Sequence, residues 1–429
     1  MTTSKAFSSF LDKIKVANDE QISLRYHQIT KKLNSKFRDT DSEIDNCLQV
    51  GSYGRYTGIK GISDLDMLYI MPDTLWSQYC SDPDKLLRHV RDAIKERYPT
   101  TEIIYDRLVV DVFFTNFTFE VQPVFEVKDG EEINYKYPDT KYDCYRITKP
   151  RQEQKAMTDF SQSYGSAHRH LCKMTRAWKN NIGLGMGGLL IDTLTHRFLS
   201  DHTDLAQYSF SQYDILCRDF FEFLKNEPKQ DHYQALGSGQ DVKVKHLFQN
   251  KAKVAYATTV SAIEETDAEK KHEKWRDVFG ISFPKAEDTI NESSQSISYI
   301  NNEEFIENLY SVDIRYSLTI DCEISRDGFR ETMLRRLLSE NKRISRVRSL
   351  LFQIVSTDTP EPYVVKWKVR NVGEEAIRRN CIRGQIIDSN KKDNMRKETS
   401  NFIGPHYVEC YIIKRGVVVA RNRLDVPIE

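Results

Sequence analysis

GSYGRYTGIKGISDLDMLYIM, residues 51–71, is the most informative stretch of the chain. It opens on Gly51-Ser52, runs through eleven further residues, reaches Asp64-Leu65-Asp66 and ends in an apolar run. Side chains at i and i+2 of a strand point to one face, so Asp64 and Asp66 project together. Two adjacent carboxylates repel, and a divalent cation with oxygen ligands, such as Mg²⁺, relieves that repulsion. Gly51-Ser52 ends a preceding strand, where backbone N–H groups and a hydroxyl can cradle phosphate. The loop between carries Arg55 and Lys60, both suited to approach phosphates. A lone DxD is usually a turn and a lone Gly-Ser a loop; the two in order, ahead of an apolar strand, are far more specific.

A second metal needs a third carboxylate, and residues 108–125, LVVDVFFTNFTFEVQPVF, offer two. With Thr115-Asn116 as a two-residue turn, Phe114 pairs with Phe117 and Asp111 falls opposite Glu120 on the same face. Like charges directly opposite destabilise a hairpin unless a cation lies between them. Glu120 is therefore expected to be the third ligand, and the sequence leaves open whether Asp111 joins it.

Outward from this centre the chain changes character three times. Ile22, Tyr26, Ile29, Leu33 and Phe37 form an apolar stripe, and the first forty residues read as one long amphipathic helix. Residues 44–126 read as mixed α/β: short strands near 47–50, 67–71, 103–105, 108–114 and 117–125, with a helix over 83–96. Helical periodicity returns over 152–163, 166–182, 186–200, 205–225 and 244–279. The polar, Ser-rich 285–298 marks a boundary. Beyond it a strand is expected over 316–324 and a helix over 327–340. Further strands are expected near 349–355, 361–370, 381–388, 405–414 and 416–421. Residues 361–429 carry 14 Lys and Arg against 9 Asp and Glu, a mild basic excess.

Composition narrows the class. The 429 residues are 39% hydrophobic, enough for sizeable cores, and carry 63 basic against 63 acidic side chains. Zero net charge argues against a surface devoted to nucleic acid or anionic lipid. No apolar stretch approaches membrane-spanning length, and the N-terminus lacks a signal-peptide pattern, so a cytoplasmic protein is expected. The eight cysteines form no CxxC and no zinc spacing, and reduced thiols are expected.

GS, SDLDM and FEVQPVF together resemble the polymerase-beta-like nucleotidyltransferases, and more narrowly the cGAS/DncV-like (SMODS) enzymes of bacterial antiphage signalling. The likeness continues through 137–151 (YPDTKYDCYRITKPR), 170–178 (HLCKMTRAW), 186–192 (MGGLLID) and 275–284 (WRDVFGISFP). From about residue 300, WKVRN, GPHYVECYI and VVVARNR are similar to the C-terminal sensor domain fused to some of these enzymes. The resemblance implies an α+β fold: an N-terminal spine helix and polymerase-beta-like core over 1–150, a helical lobe over 151–298 and a C-terminal, mostly β domain over 299–429.

The resemblance also implies roles. Gly51 and Ser52 would hold the donor triphosphate, and Asp64, Asp66 and Glu120 would bind two Mg²⁺ ions, with Mn²⁺ as a substitute. Lys173 and Arg176, one turn apart, would meet the phosphates from the helical lobe. The substrates would be nucleoside triphosphates, ATP and GTP foremost, and the product a cyclic oligonucleotide acting on a separate effector. An activating ligand would bind the C-terminal domain. Linear products, transfer to an RNA or protein end, and a ligand-sensing scaffold with little catalysis are the alternatives. Three departures stand out. Many relatives have Asp where this chain has Glu120, and some have a helical-lobe Ser where it has Gly187-Gly188. The zinc insertion of the animal enzyme is absent.

Overall fold

The computed structural model describes residues 1–17, 19–61, 64–286, 303–326, 329–379 and 381–429. Ser63 of the central motif, most of the expected boundary at 285–298 and the start of the expected 327–340 helix lie outside them. The chain divides into two compact units, one of Met1–Ala177 with Gly187–Ala286 and one of Trp178–Met186 with Glu287–Glu429.

The first unit opens with two helices, α1 (Thr3–Lys13) and α2 (Asp19–Phe37), where one was expected. The break follows from their partners. Phe7 and Phe10 of α1 pack edge-on and tilted against Trp275, Phe279 and Phe283, whereas Ile22, Ile29 and Leu33 of α2 join the core of the sheet. Asp19 and Glu20 place negative charge in the first turn of α2, the favourable end of its dipole.

The seven-stranded sheet of this unit contains β1 (Cys47–Gln49), β2 (Asp64–Ile70), β3 (Glu102–Tyr105), β4 (Val110–Phe113) and β5 (Thr118–Asp129). Their order is β1-β2-β5-β4-β3, and β2 and β5 run parallel. The last half of β5 continues into β6 (Glu132–Asp139) and β7 (Cys144–Thr148), two strands not expected from the sequence. Between β1 and β3 lie the short α3 (Gly51–Gly54), α4 (Trp76–Tyr79) and α5 (Pro83–Arg97). Asp82 caps α5 by accepting from the Lys85 N–H, and Pro83 occupies its first turn. Leu65, Met67 and Tyr69 of β2 point to one face, where Leu86, Leu87, Val90 and Ile94 of α5 cover them. Alternation therefore turns Asp64 and Asp66 to the other face.

The rest of the unit is helical: α6 (Pro150–Tyr164), α7 (Ala167–Asn181), α8 (Gly188–Asp201), α9 (Tyr213–Asn226), α10 (Gln249–Glu264) and α11 (Ala268–Phe279). The span expected as one helix over 244–279 is two, broken at Glu265, and that over 205–225 becomes a helix only at Tyr213. A small hairpin, β8 (His232–Gln234) with β9 (Asp241–Lys243), interrupts the series.

The second unit holds two antiparallel-dominated sheets. Its strands are β10 (Ser311–Val312), β11 (Leu318–Arg326), β12 (Phe329–Met333), β13 (Ser349–Thr357), β14 (Val364–Arg370), β15 (Arg383–Asp388), β16 (Arg396–Thr399), β17 (Gly404–Lys414) and β18 (Val417–Ile428). One sheet runs β10-β18-β17-β14-β15, the other β12-β11-β13-β16. Short helices α12 (Ile306–Leu309), α13 (Leu334–Ser339) and α14 (Glu374–Arg378) edge them. The helix expected over 327–340 is confined to α13, because 329–333 pairs with β11 instead. Trp367, Phe352, Ile320 and Ile412 lie in a single core drawn from both sheets.

The eight cysteines are free. Among the described residues no helix is long and apolar enough to cross a membrane.

Candidate active site

The carboxylates converge through strand register. Parallel pairing sets Asp66 of β2 beside Glu120 of β5, and antiparallel pairing sets Asp111 of β4 on the other flank of Glu120. The expected turn exists: the Phe114 N–H donates to the Phe117 carbonyl at 3.0 Å, which fixes that register. Asp64, two residues before Asp66, shares the face of Asp66 and Glu120. Asp64, Asp66, Asp111 and Glu120 are each half-buried on one face, while Leu65, Val110, Val112, Phe119 and Val121 are buried on the other.

Gly51 is brought against this row. Its backbone has φ +64°, a left-handed conformation that favours glycine. A Cβ there would lie 1.7 Å from Asp66 Oδ2, so no larger residue fits beside the carboxylate. The Val50 N–H donates to the Asp66 carbonyl at 3.0 Å, tying strand end and aspartate together. The Ser52 carbonyl accepts from the Thr57 and Gly58 N–H groups at 2.9 and 3.0 Å, which closes the following loop.

The electrostatics are unbalanced. Burial, then the charges of Asp64 and Asp66, push the Glu120 carboxyl up to about 10, with Asp111 adding to the effect. Among the described residues no group of three or more His, Cys, Asp or Glu side chains is disposed as a ready metal-ligand set. An all-oxygen donor set with this excess of negative charge nevertheless suits hard divalent cations.

A family model described as the Second Messenger Oligonucleotide or Dinucleotide Synthetase domain matches residues 1–160, and one described as the Adenylyl/Guanylyl and SMODS C-terminal sensor domain matches residues 300–429. Residues 1–160 are thus a SMODS nucleotidyltransferase domain, and residues 300–429 an AGS C-terminal sensor domain. Its fold is similar to that of CdnC from E. coli MS115-1 in complex with HORMA-deltaN, at 15% identity over 66% of this chain and 98% of that one, with a TM-score of 0.52. The same protein with ATP matches at 14% identity and a TM-score of 0.50, over the same shares. No curated protein matches the sequence significantly.

In this nucleotidyltransferase the basic residues expected at the phosphates divide into two groups. Arg176 is 5% exposed. Its guanidinium donates to both oxygens of Asp192, at 2.7 and 2.9 Å, and to the Gly188 carbonyl at 3.0 Å. Gly188 makes room for it, since a Cβ there would meet Arg176 at 3.2 Å. Arg55 likewise turns inward, donating to Asp192 at 2.8 Å and to Glu153 at 3.2 Å. Each guanidinium thus has a carboxylate partner within the chain.

Lys173 is different. It is half-buried on α7, and burial, then Arg169 and Lys15, pull its ammonium below the ordinary lysine value. Arg169 in turn lies 5.0 Å over the ring of Tyr56, in the loop that follows Gly51-Ser52. Lys15 and Arg169, absent from the sequence reading, thus gather with Lys173 into a basic group beside that loop. Asp192 and Glu153 were missed too. Their signal is local: Asp192 is the only charge in the apolar run GLLIDTL, and a charge in such a run must find a partner.

Proposed function

We propose that this enzyme joins nucleoside triphosphates, ATP and GTP foremost, into a purine-containing cyclic dinucleotide that serves as a second messenger in antiphage defence. One observation carries the proposal: Asp64, Asp66 and Glu120 share one sheet face directly against the Gly51 backbone. That is where a donor phosphate and an attacking hydroxyl have to meet.

In this scheme the Gly51 backbone and the Ser52 hydroxyl hold the donor triphosphate, and Lys173 meets its phosphates from the helical side with Arg169 and Lys15. Two Mg²⁺ ions, or Mn²⁺ in their place, held by Asp64, Asp66 and Glu120, would neutralise charge at the reacting phosphoryl group. Glu120 takes the proton of the attacking ribose 2′- or 3′-hydroxyl. The oxygen of that hydroxyl bonds to the α-phosphorus of the donor as the bond to pyrophosphate breaks. A second round in the same site closes the ring. Arg55 and Arg176 are positioning residues: through Asp192 they fix the phosphate loop to α7 and α8. The product acts on a separate effector protein, and the enzyme works in the cytoplasm.

The test is a product assay. Purified protein is incubated with all four nucleoside triphosphates and Mg²⁺ or Mn²⁺, treated with phosphatase and analysed by mass spectrometry. A phosphatase-resistant product that vanishes in Asp64→Ala/Asp66→Ala is expected, and its mass gives base composition and ring size. A mutant-sensitive product that phosphatase shortens would replace ring closure by linear synthesis. Equal product from the double variant would overturn the site.

A further inference from the structure

The C-terminal unit contains a pocket of about 530 Å³ at one end of the space between its two sheets. Phe352, Val369, Val408 and Ile428 form its floor, and all four also belong to the inter-sheet core. The core therefore stops short of filling the sandwich at this end, and the volume falls in the range of small-molecule sites, about 300–1,000 Å³.

The rim of the pocket is basic. Arg383, Lys391 and Lys397 line it against a single carboxylate, Glu398. That carboxylate is shared: it accepts from Arg383 at 2.6 and 3.1 Å and from Arg396 at 2.8 Å. Two guanidiniums share one half-buried carboxylate, an excess of positive charge among the described residues of the pocket. The backbone is bent to present it. Arg383 has φ +57°, a strained value for an arginine, and the β14–β15 pairing shifts register between Lys368 and Arg370. Phe402 and Tyr407 add aromatic faces to the walls. The mild basic excess of residues 361–429 is thus in part spent here.

An apolar, aromatic floor beneath a planar guanidinium matches a ligand with a flat ring at one end and an anionic group at the other. We propose that this pocket binds a nucleoside phosphate, its base on the Phe352 floor and its phosphate at Arg383 and Lys397. Nothing in it depends on the catalytic proposal, because the pocket lies wholly within the second unit.

Cys381 lines the pocket and is exposed, while Cys80, also exposed, lies in the first unit, so the protein carries its own reporter and control. The full chain is alkylated with iodoacetamide in EDTA, and both cysteines are followed by peptide mass spectrometry. The probes are AMP and GMP, adenosine without phosphate, and inorganic phosphate alone. A nucleotide at about ten times its Kd is expected to slow alkylation of Cys381 roughly tenfold and to leave Cys80 unchanged. Arg383→Gln, whose Glu398 keeps Arg396, and Lys397→Glu, at an exposed position, are each expected to abolish that protection. Equal protection by adenosine would remove the anionic half of the proposal, and equal protection by phosphate the ring half. No protection of Cys381 by either nucleotide, or protection unchanged in both variants, would overturn it. Cyclic product formation would be untouched by that result, so the two proposals fail separately.

Discussion

Asp192 and Glu120 are both carboxylic acids drawn out of water within the first unit, and their surroundings have opposite sign. Burial alone would raise both. At Asp192 the guanidiniums of Arg176 and Arg55 outweigh burial and hold the carboxyl down to about 2. At Glu120 burial is joined by Asp64 and Asp66, and the carboxyl rises to about 10. The first network pairs its carboxylate with guanidiniums, which marks it as structural. The second sets carboxylates beside one another, the arrangement on which the proposed metal site rests. Distance in sequence does not separate them, since both draw residues from several elements; the sign of the balance does.

The comparison breaks most visibly through activity. Asp66→Ala is expected to lower turnover by at least ~10³-fold, because the missing interaction acts on charge that develops in the transition state. Its circular dichroism spectrum is expected to match the parent. A turnover within tenfold of the parent would remove Asp66 from the catalytic set.

The same edit made on the two sides should then change stability in opposite directions. Asp192→Asn leaves Arg55 and Arg176 buried beside a neutral amide and is expected to cost about 3–5 kcal/mol in urea unfolding. Glu120→Gln relieves a crowded carboxylate cluster and is expected to raise metal-free stability by about 1 kcal/mol while abolishing turnover, the usual exchange of stability for function at such sites. Losses of equal size in both variants would dissolve the distinction.

Gly51→Ala sharpens the comparison from the backbone side. The added Cβ meets Asp66 Oδ2, and its φ is left-handed, so a destabilisation of about 1–3 kcal/mol and a turnover loss at least as large as that from Ser52→Ala are expected. A Gly51→Ala enzyme with parental kcat and KM would show that the glycine is not where the phosphate approaches.

How much of this could be read from the residues depends on the range of the interaction. The hairpin that places Asp111 opposite Glu120 follows from a two-residue turn and a period of two, both local, and the structure has that register. The parallel pairing that sets Asp66 beside Glu120 joins strands separated by two helices and two other strands, and no local rule gives its register. Arg55 and Asp192 lie 137 positions apart, so an arginine in a phosphate-like loop could not be seen to turn inward. Periodicity misled where one pattern served two partners. The stripes of α1 and α2 run on in sequence but face different cores. The leucines of α13 suggested a helix that pairing with β11 cuts short. The pocket beside Arg383 left only its basic excess, since Arg383, Glu398 and Phe352 meet through the sandwich alone.

His168 supplies the smallest effect and a third case for the comparison. It is fully buried on α7, packed at 4.7 Å on Phe160 and 5.5 Å on His196, and its ring nitrogens have no hydrogen-bond partner among the described residues. Asp192 keeps its charge beside guanidiniums, and Glu120 lies among other carboxylates; His168 is accommodated by having no charge. Burial, then His196, lowers its value to about 3. A folded value below the unfolded one means that the unfolded chain binds the proton first. The stability from a neutral His168 is therefore full above about pH 6.5 and is lost as pH falls toward 3, by about 1.4 kcal/mol per pH unit. His170 and His196 are also lowered, and the raised Glu120 acts in the opposite direction over pH 6.5 to 5, so the His168 contribution is read from the difference between variant and parent. The unfolding free energy of His168→Leu, from urea titrations, should fall less steeply than the parent's over that window by about that amount per unit. Parallel slopes would mean that His168 is protonated in the folded protein, and that this buried ring has found a counter-charge after all.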